Sequence, residues 1–377
     1  MVPMEIFVRS VVLLGLSLAP ASCSNSLDSR SPSGLFHSQC SEFVGNMEFY
    51  EDNPTFLADL SQLGGWASQP PDPAGVDGAK IRRASQRLSQ IPHSASLLVV
   101  RDGKLIWEDY FHGTDRTHSK NIHSASKSIL SGLVGIAVES GEIKSLDQPI
   151  SDYLSPHMSF GSNQKKISIR HLLTMTSGIK WTEDETEYEI EDQSHWLQAI
   201  LNLPTSSPGK RYKYSTGDSH LLSAVLTHAT GKSTCDYANE KLFGPLGVKA
   251  KRWGRDPQGY YSGGYNVYLT PRELAKLGLL YLKRGEWNGQ QIIPQSWVNQ
   301  SWEKHQKVDS VFSYGYLWWL LSIDGYDIYK MWGFGGQFVY VIPALDLVTV
   351  ITFDTKHDHD EPDGDDFIKN YLLPTVS

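Results

Sequence analysis

The most constraining stretch of this 377-residue chain runs from His123 to Ser140: His-Ser-Ala-Ser-Lys-Ser-Ile-Leu-Ser-Gly-Leu-Val-Gly-Ile-Ala-Val-Glu-Ser. It opens with small polar residues and continues almost wholly apolar to Val138. A segment with no polar face reads as a helix buried on all sides, with its N-terminus opening on something polar. Ser124-Ala125-Ser126-Lys127 stands at that opening. Residues three apart share a helix face, so the Ser124 hydroxyl and the Lys127 amine can meet. A serine becomes a good nucleophile only when a base takes its proton. A lysine held in a dry interior has a lowered pKa and can be that base. Free N–H groups and the positive dipole end of the helix favour an oxyanion forming there. Taken alone, the four residues read equally well as a helix cap followed by a solvated lysine. The buried helix behind them, and the residues downstream, favour chemistry.

The length is enough for one large or two medium domains with a real core. Charged residues make up 20% of the chain and apolar residues 40%, which excludes a disordered reading. A net charge of −8 argues against nucleic acid as the main partner. Eleven tryptophans and eighteen tyrosines suit pocket walls as well as core packing.

The first 23 residues read as a secretory signal: Arg9, a short apolar run from Ser10 to Leu18, then the small residues Ala19-Pro20-Ala21-Ser22-Cys23. Cleavage after Ala21 fits; lipidation of Cys23 is the alternative. The expected location is therefore exported: periplasmic, extracellular or lipid-anchored at Cys23. Neither this run nor any later one is long enough to span a bilayer. If Cys23 leaves or is lipidated, Cys40 and Cys235 remain, and two cysteines in an exported protein can form one bridge. No Cys/His cluster has structural zinc spacing. The acidic run around His357 and His359 reads as a solvated loop. No metal or organic cofactor is indicated.

Residues 24–78 read as an extended lead-in. An amphipathic helix is expected over Ala79–Gln90. A β-hairpin follows, Ser94–Val100 and Leu105–Phe111, around a turn at Arg101-Asp102-Gly103-Lys104. A short helix ended by Gly178 is expected within Ile167–Gly178, and an acidic loop over residues 181–195. Further helices are expected over His195–Leu203, Ser219–Thr230, Thr234–Phe243, Pro271–Arg284 and Pro294–Lys304. From Ser313 the pattern turns to strands: Gly315–Leu321, Tyr326–Trp332, Gln337–Ile342 and Leu347–Phe353, with a closing helix over Asp365–Leu372. Strands at both ends and helices between predict an α/β (α+β) fold with one sheet built from both chain ends. The α/β part is expected over about 79–145 and 260–377, and a helical insertion over about 146–259.

Two further motifs fit the serine and lysine. Gly209-Lys-Arg-Tyr-Lys-Tyr-Ser-Thr216 is a loop with a tyrosine just before a helix. A tyrosine near a lysine can relay protons to a leaving group and activate water. Tyr212 has the same chemistry as Tyr214, so both stay candidates at this stage. Trp332-Gly-Phe-Gly-Gly-Gln337 is a glycine-rich strand start, which lets backbone approach a ligand and supply an oxyanion N–H. By itself it is equally a tight turn or bulge.

With these three motifs in order, the chain resembles the β-lactamase-related serine hydrolases. These include class C β-lactamases, DD-peptidases, family VIII esterases and 6-aminohexanoate-dimer hydrolases. The resemblance runs from about Ser94 to Phe353 and includes Ile169–Gly178, Gly263-Gly264, Leu269–Ala275, Trp287-Asn-Gly289 and Gly333–Pro343. It implies a β-lactamase/transpeptidase-like fold, an antiparallel sheet with helices plus an all-helical part. It implies Ser124 as acylated nucleophile, Lys127 as base and Tyr214 as partner acid and base. Gly335, Gly336, Gln337 and Thr216 match substrate-binding positions, with an oxyanion N–H expected between Gly336 and Phe338.

Two positions depart from the β-lactamase pattern. Tyr-x-Asn reads Tyr214-Ser215-Thr216, and Phe334 stands nearest the place where a Lys or His usually opens the third motif. Both lost groups serve carboxylate-bearing, peptide-like substrates. The expected activity is therefore hydrolysis of a small-molecule ester or amide through an acyl-enzyme on Ser124. The alternatives are a β-lactamase or DD-peptidase-type enzyme, and a non-catalytic binding protein on the same fold. Tyr188, Trp196 and Trp181 are candidates for a roof over the pocket.

Overall fold

Runs of β-rich residues buried on both faces build the sheet at the centre of the molecule. In the computed structural model, the residues described are 66–183, 185–248, 250, 252–355 and 363–376, with the strands Ser41–Val44 and Phe56–Leu57. Eight strands lie in the order Gln306–Lys307, Ser313–Tyr314, Trp319–Ile323, Tyr326–Gly333, Gln337–Ile342, Leu347–Phe353, Ser94–Arg101, Lys104–Tyr110. Neighbours pair antiparallel throughout. The early hairpin joins the late strands by pairing Leu347 with Arg101 and Ile351 with Leu97. One sheet thus draws on both ends of the chain, as the sequence pattern predicts. The hairpin turn places Asp102 and Gly103 at φ 51° and 74°, a backbone that Asp-Gly adopts readily.

Alternate side chains leave the sheet on opposite faces. Leu98, Val100, Val339, Val341, Val348 and Val350 face one core, shared with Ile129, Leu130, Leu133 and Val134 of the helix Ser126–Glu139. Leu97, Val99, Phe338, Tyr340, Ile342 and Ile351 face the other. There the helix Gly78–Ser89 contributes Ile81, Ala84 and Leu88, and the chain end contributes Phe367, Ile368 and Leu372. Fully burying each such side chain contributes on the order of 2 kcal/mol. The helix Ser126–Glu139 is buried from Ser126 to Ala137, the burial that its uninterrupted apolar pattern predicts.

From Ser151 to Phe243 the described elements are all helices. Several bounds differ from the sequence expectation. Residues 181–195 are not only loop: Glu185–Glu191 forms a helix, its first turn carrying Glu185 and Glu187, where acids suit the helix dipole. The helix after Tyr214 starts at Thr216 rather than Ser219, because Ser215 caps it by accepting from Asp218 N. The helix Ile169–Leu173 stops well before Gly178; Met175 already has φ 55°. The expected strand Gly315–Leu321 begins only at Trp319, with Leu317 at φ 59° before it. Trp181 and Trp196 are core residues, each 2% exposed, whereas Tyr188 is 41% exposed. Cys235 is fully buried and disulfide-bonded. Its expected partner Cys40, the proposed signal, and His357 and His359 lie outside the described residues.

Candidate active site

The strand His118–Asn121 leads into a 3-10 turn, His123–Ala125, which feeds the buried helix Ser126–Glu139. Ser124 sits in that turn, where residues three apart nearly eclipse. Asn121 holds the turn: its Oδ1 accepts from His123 N (3.0 Å) and Asn266 N (2.9 Å), and its Nδ2 donates to Asn266 Oδ1. His123 has φ 46°, a left-handed backbone in a residue with a Cβ, just before the serine. Burial pushes the His123 imidazole down to about 4, with the nearby Lys127 adding to the effect.

Lys127 is 1% exposed. Its Nζ lies 2.8 Å from Ser124 Oγ, 2.9 Å from Thr216 Oγ1 and 3.3 Å from Gly264 O. Burial lowers its pKa, opposed by the carboxylates of Glu183 and Glu187. Gly264 has no room for a side chain: a Cβ there would lie 3.0 Å from Lys127 Nζ and 2.8 Å from Thr216 Cγ2. Both the spacing and the drying of the amine predicted from Ser-x-x-Lys are therefore present.

Of the two candidate tyrosines, Tyr214 is the one whose ring abuts Lys127, its centroid 4.9 Å from Nζ. Tyr314 and Trp319 hold that ring from the other sides, at 6.2 and 5.5 Å between centroids. Tyr212 instead packs on Tyr314 at 5.3 Å with its hydroxyl buried, and burial drives its pKa far up. The loop is anchored by Lys213 N donating to Met175 O and Gly209 N donating to Thr176 O.

The glycine-rich segment comes to the same place. Phe334, 48% exposed, sets its ring 5.7 Å from His123, edge to face. Gly335 and Gly336 have φ 69° and 91°. The Gln337 side chain points inward, 1% exposed, with Nε2 donating to Phe353 O. Lys330, on the strand leading to this segment, shares the opposite face with Phe338 and Tyr340. It pairs there with Asp365 at 2.9 Å and lies 3.9 Å from the Trp332 ring centroid.

One site residue was not singled out in the sequence. Glu183 Oε1 accepts from Thr216 N (2.7 Å) and Trp181 Nε1 (2.6 Å), and Oε2 accepts from Thr216 Oγ1 (2.8 Å). Thr216 itself is 4% exposed and lies between that carboxylate and Lys127.

The family model for β-lactamase matches residues 82–373, most of the chain. The chain belongs to the β-lactamase family. That family is one of serine hydrolases, and in this chain Ser124, Lys127 and the Tyr214 ring lie together. Among curated relatives, the chain is 24% identical to the 6-aminohexanoate-dimer hydrolase of Paenarthrobacter ureafaciens, over 73% of this chain and 77% of that one. It is 22% identical to a teichoic acid D-alanine hydrolase of Staphylococcus aureus, over 60% and 64%. A Bacillus anthracis structure provisionally described as a 6-aminohexanoate-dimer hydrolase superposes with a TM-score of 0.66 at 19% identity, over 87% of this chain and 91% of that one. That likeness shows a shared β-lactamase/transpeptidase-like fold.

Proposed function

We propose that this β-lactamase-family chain is an exported serine hydrolase that cleaves a small ester or amide through an acyl-enzyme on Ser124. The observation that carries the reading is the 2.8 Å approach of a fully buried Lys127 amine to the Ser124 hydroxyl. Neutral Lys127 takes the Ser124 proton as Oγ attacks the substrate carbonyl. The oxyanion is met by the Ser124 N–H and an N–H between Gly336 and Phe338. Tyr214 protonates the departing alcohol or amine and then draws a proton from water as it attacks the acyl group; the acyl–Oγ bond breaks and the Lys127 ammonium returns its proton to Ser124 Oγ.

Two features favour an uncharged acyl group over a β-lactam or peptide carboxylate. Phe334, uncharged, stands nearest the place of the third motif's cation, and the strand's own Lys330 is engaged with Asp365 on the far side of the sheet. Thr216 replaces the amide that would hold a peptide-like substrate. Its hydroxyl is already bound between Glu183 and Lys127. The disulfide at Cys235 supports an oxidising compartment, and so export.

The test compares p-nitrophenyl acetate and butyrate with nitrocefin, using Ser124→Ala as control. Ester turnover is expected, falling by roughly a thousandfold or more in the variant, as removal of a catalytic nucleophile does. Undiminished turnover by Ser124→Ala removes Ser124 as nucleophile. Nitrocefin cleaved faster than the esters replaces the esterase reading with a β-lactamase one.

A further inference from the structure

Thr216 Oγ1 has one proton, and its position is decided by what surrounds it. The Glu183 carboxylate has only acceptors to offer, and Oε2 lies 2.8 Å away. The hydroxyl proton therefore points to Glu183, and the Thr216 oxygen faces Lys127 as an acceptor. Gly264 O is a second acceptor for the same amine. A neutral amine has two N–H groups and one lone pair. With both N–H groups directed to Thr216 Oγ1 and Gly264 O, the lone pair is left facing Ser124 Oγ.

We infer that Glu183 is a positioning residue for the proposed Ser124 acylation: through the Thr216 hydroxyl it fixes which way the Lys127 amine faces. The inference rests on the Ser124–Lys127 reading above. Groups facing Lys127 are Ser124 and His123 on the nucleophile turn, Tyr214 on the loop, and Glu183 and Glu187 on the acidic segment. Because Thr216 N also donates to Glu183, the carboxylate caps the helix Thr216–Thr230 as well. The experiment must separate the cap from the proton.

Glu183→Gln does so. A glutamine oxygen still accepts from Thr216 N, so the cap survives. Its NH2 group, however, donates to Thr216 Oγ1, which turns the hydroxyl proton onto the Lys127 lone pair. The readout is the second-order rate of fluorophosphonate labelling against pH, which needs no natural substrate. Glu183→Gln is expected to lower the plateau rate by about tenfold or more, as losing a positioned general base does. Its acidic limb is expected to move to lower pH, because a carboxylate that favours the ammonium form is gone. Thr216→Val, which removes the acceptor altogether, is expected to lower the plateau similarly. Thr216→Ser, which restores the hydroxyl, is expected to label several-fold faster than Thr216→Val.

The inference is overturned if Glu183→Gln and Thr216→Val both label within twofold of the native rate. It is also overturned if Glu183→Gln lowers the plateau but leaves the limb in place, or if Thr216→Ser loses as much as Thr216→Val. Should Glu183→Gln fail to fold, the valine and serine pair at Thr216 decides. Labelling that persists in Ser124→Ala overturns the underlying reading instead, so the two failures are distinguishable.

Discussion

Beside the proposed catalytic groups, two buried titratable residues link this site to stability, with opposite signs. Asp218, in the first turn of the helix Thr216–Thr230, is 1% exposed. Its Oδ1 accepts from Ser177 Oγ at 2.6 Å, and its Oδ2 is buried with no hydrogen-bond partner among the described residues. Burial raises its pKa from 3.8 to about 7. An acid raised in the folded state supports the fold fully below the unfolded value and loses that support as pH climbs through the folded one. Between about pH 4 and 7 Asp218 therefore weakens the fold as pH rises. His123, lowered to about 4 from 6.5, does the reverse and weakens it as pH falls over that window. Asp218→Asn keeps an acceptor for Ser177 and removes the buried charge. At pH 8 it is expected to be more stable than the native chain by about 2–4 kcal/mol in urea unfolding. Its stability is expected to fall more steeply toward pH 4, because His123 then acts unopposed. Equal midpoints for variant and native chain at pH 8 would falsify the account of Asp218. At this scale the sequence was informative where partners are close along the chain: Ser124 and Lys127 are three apart, so helical geometry alone brings them together. Glu183 and Thr216 are 33 apart. Among the many acids of residues 181–195, only the folded contact singles out Glu183.

Elements were legible where the pattern and the burial agree. Gln337–Ile342 and Leu347–Phe353 keep the expected bounds because both faces of those central strands are buried and turns delimit them. Gly315–Trp318 misled for an equally physical reason. Tyr316, Leu317 and Trp318 are fully buried, yet they lie in a loop. Their backbone polar groups bond to neighbours rather than to a strand: Tyr316 N donates to Ser301 O and Leu317 N to Leu173 O. An apolar run reports burial, and only hydrogen-bond partners decide strand or loop. The helix Ser126–Glu139 shows what all-round burial demands of an element. At Gly135 a Cβ would lie 2.3 Å from the Trp297 indole, which is itself 3% exposed and has nowhere to move. Gly135→Ala gains about 1 kcal/mol of helix propensity but overpacks this contact at a cost of about 1–3 kcal/mol. The variant is expected to be less stable, with a lower thermal midpoint. Gly135 is three helical turns from Ser124, so the fluorophosphonate labelling rate of the folded fraction should stay close to native. A more stable variant would mean that Trp297 yields, and that the interface around this helix is looser than its burial implies.

Across the whole molecule, the central sheet and the region around Cys235 are two of the places where distant parts of the chain are brought together. The sheet joins Ser94–Tyr110 to Leu347–Phe353, which is why the strand pattern at both ends was enough to predict a single sheet. The second junction lies near Cys235. The strand Ser41–Val44 pairs in parallel with Arg252–Arg255, Ser41 opposite Arg252. Cys235 Sγ lies 3.9 Å from Ala250 O, two residues before that strand. The chain has three cysteines, Cys23, Cys40 and Cys235, and Cys40 directly precedes Ser41. The pairing of Ser41–Val44 thus favours Cys40 over Cys23 as the partner of Cys235. Such a bridge would tie the lead-in to the helical region across nearly two hundred residues, a loop long enough for cross-linking to restrict the unfolded chain substantially. A non-reducing digest is expected to yield a peptide pair joining Cys40 to Cys235. Reduction is expected to lower stability by about 2–5 kcal/mol, while Ser124 labelling in the still-folded fraction persists, because among the described residues the Lys127 partners Ser124, Thr216, Gly264 and Tyr214 lie outside that junction. A Cys23–Cys235 peptide would instead show that the Cys23 thiol is in the bridge, which excludes lipidation at Cys23. Free thiol at Cys235 in protein recovered from the cell exterior would remove the bridge, and with it the structural support for an oxidising compartment.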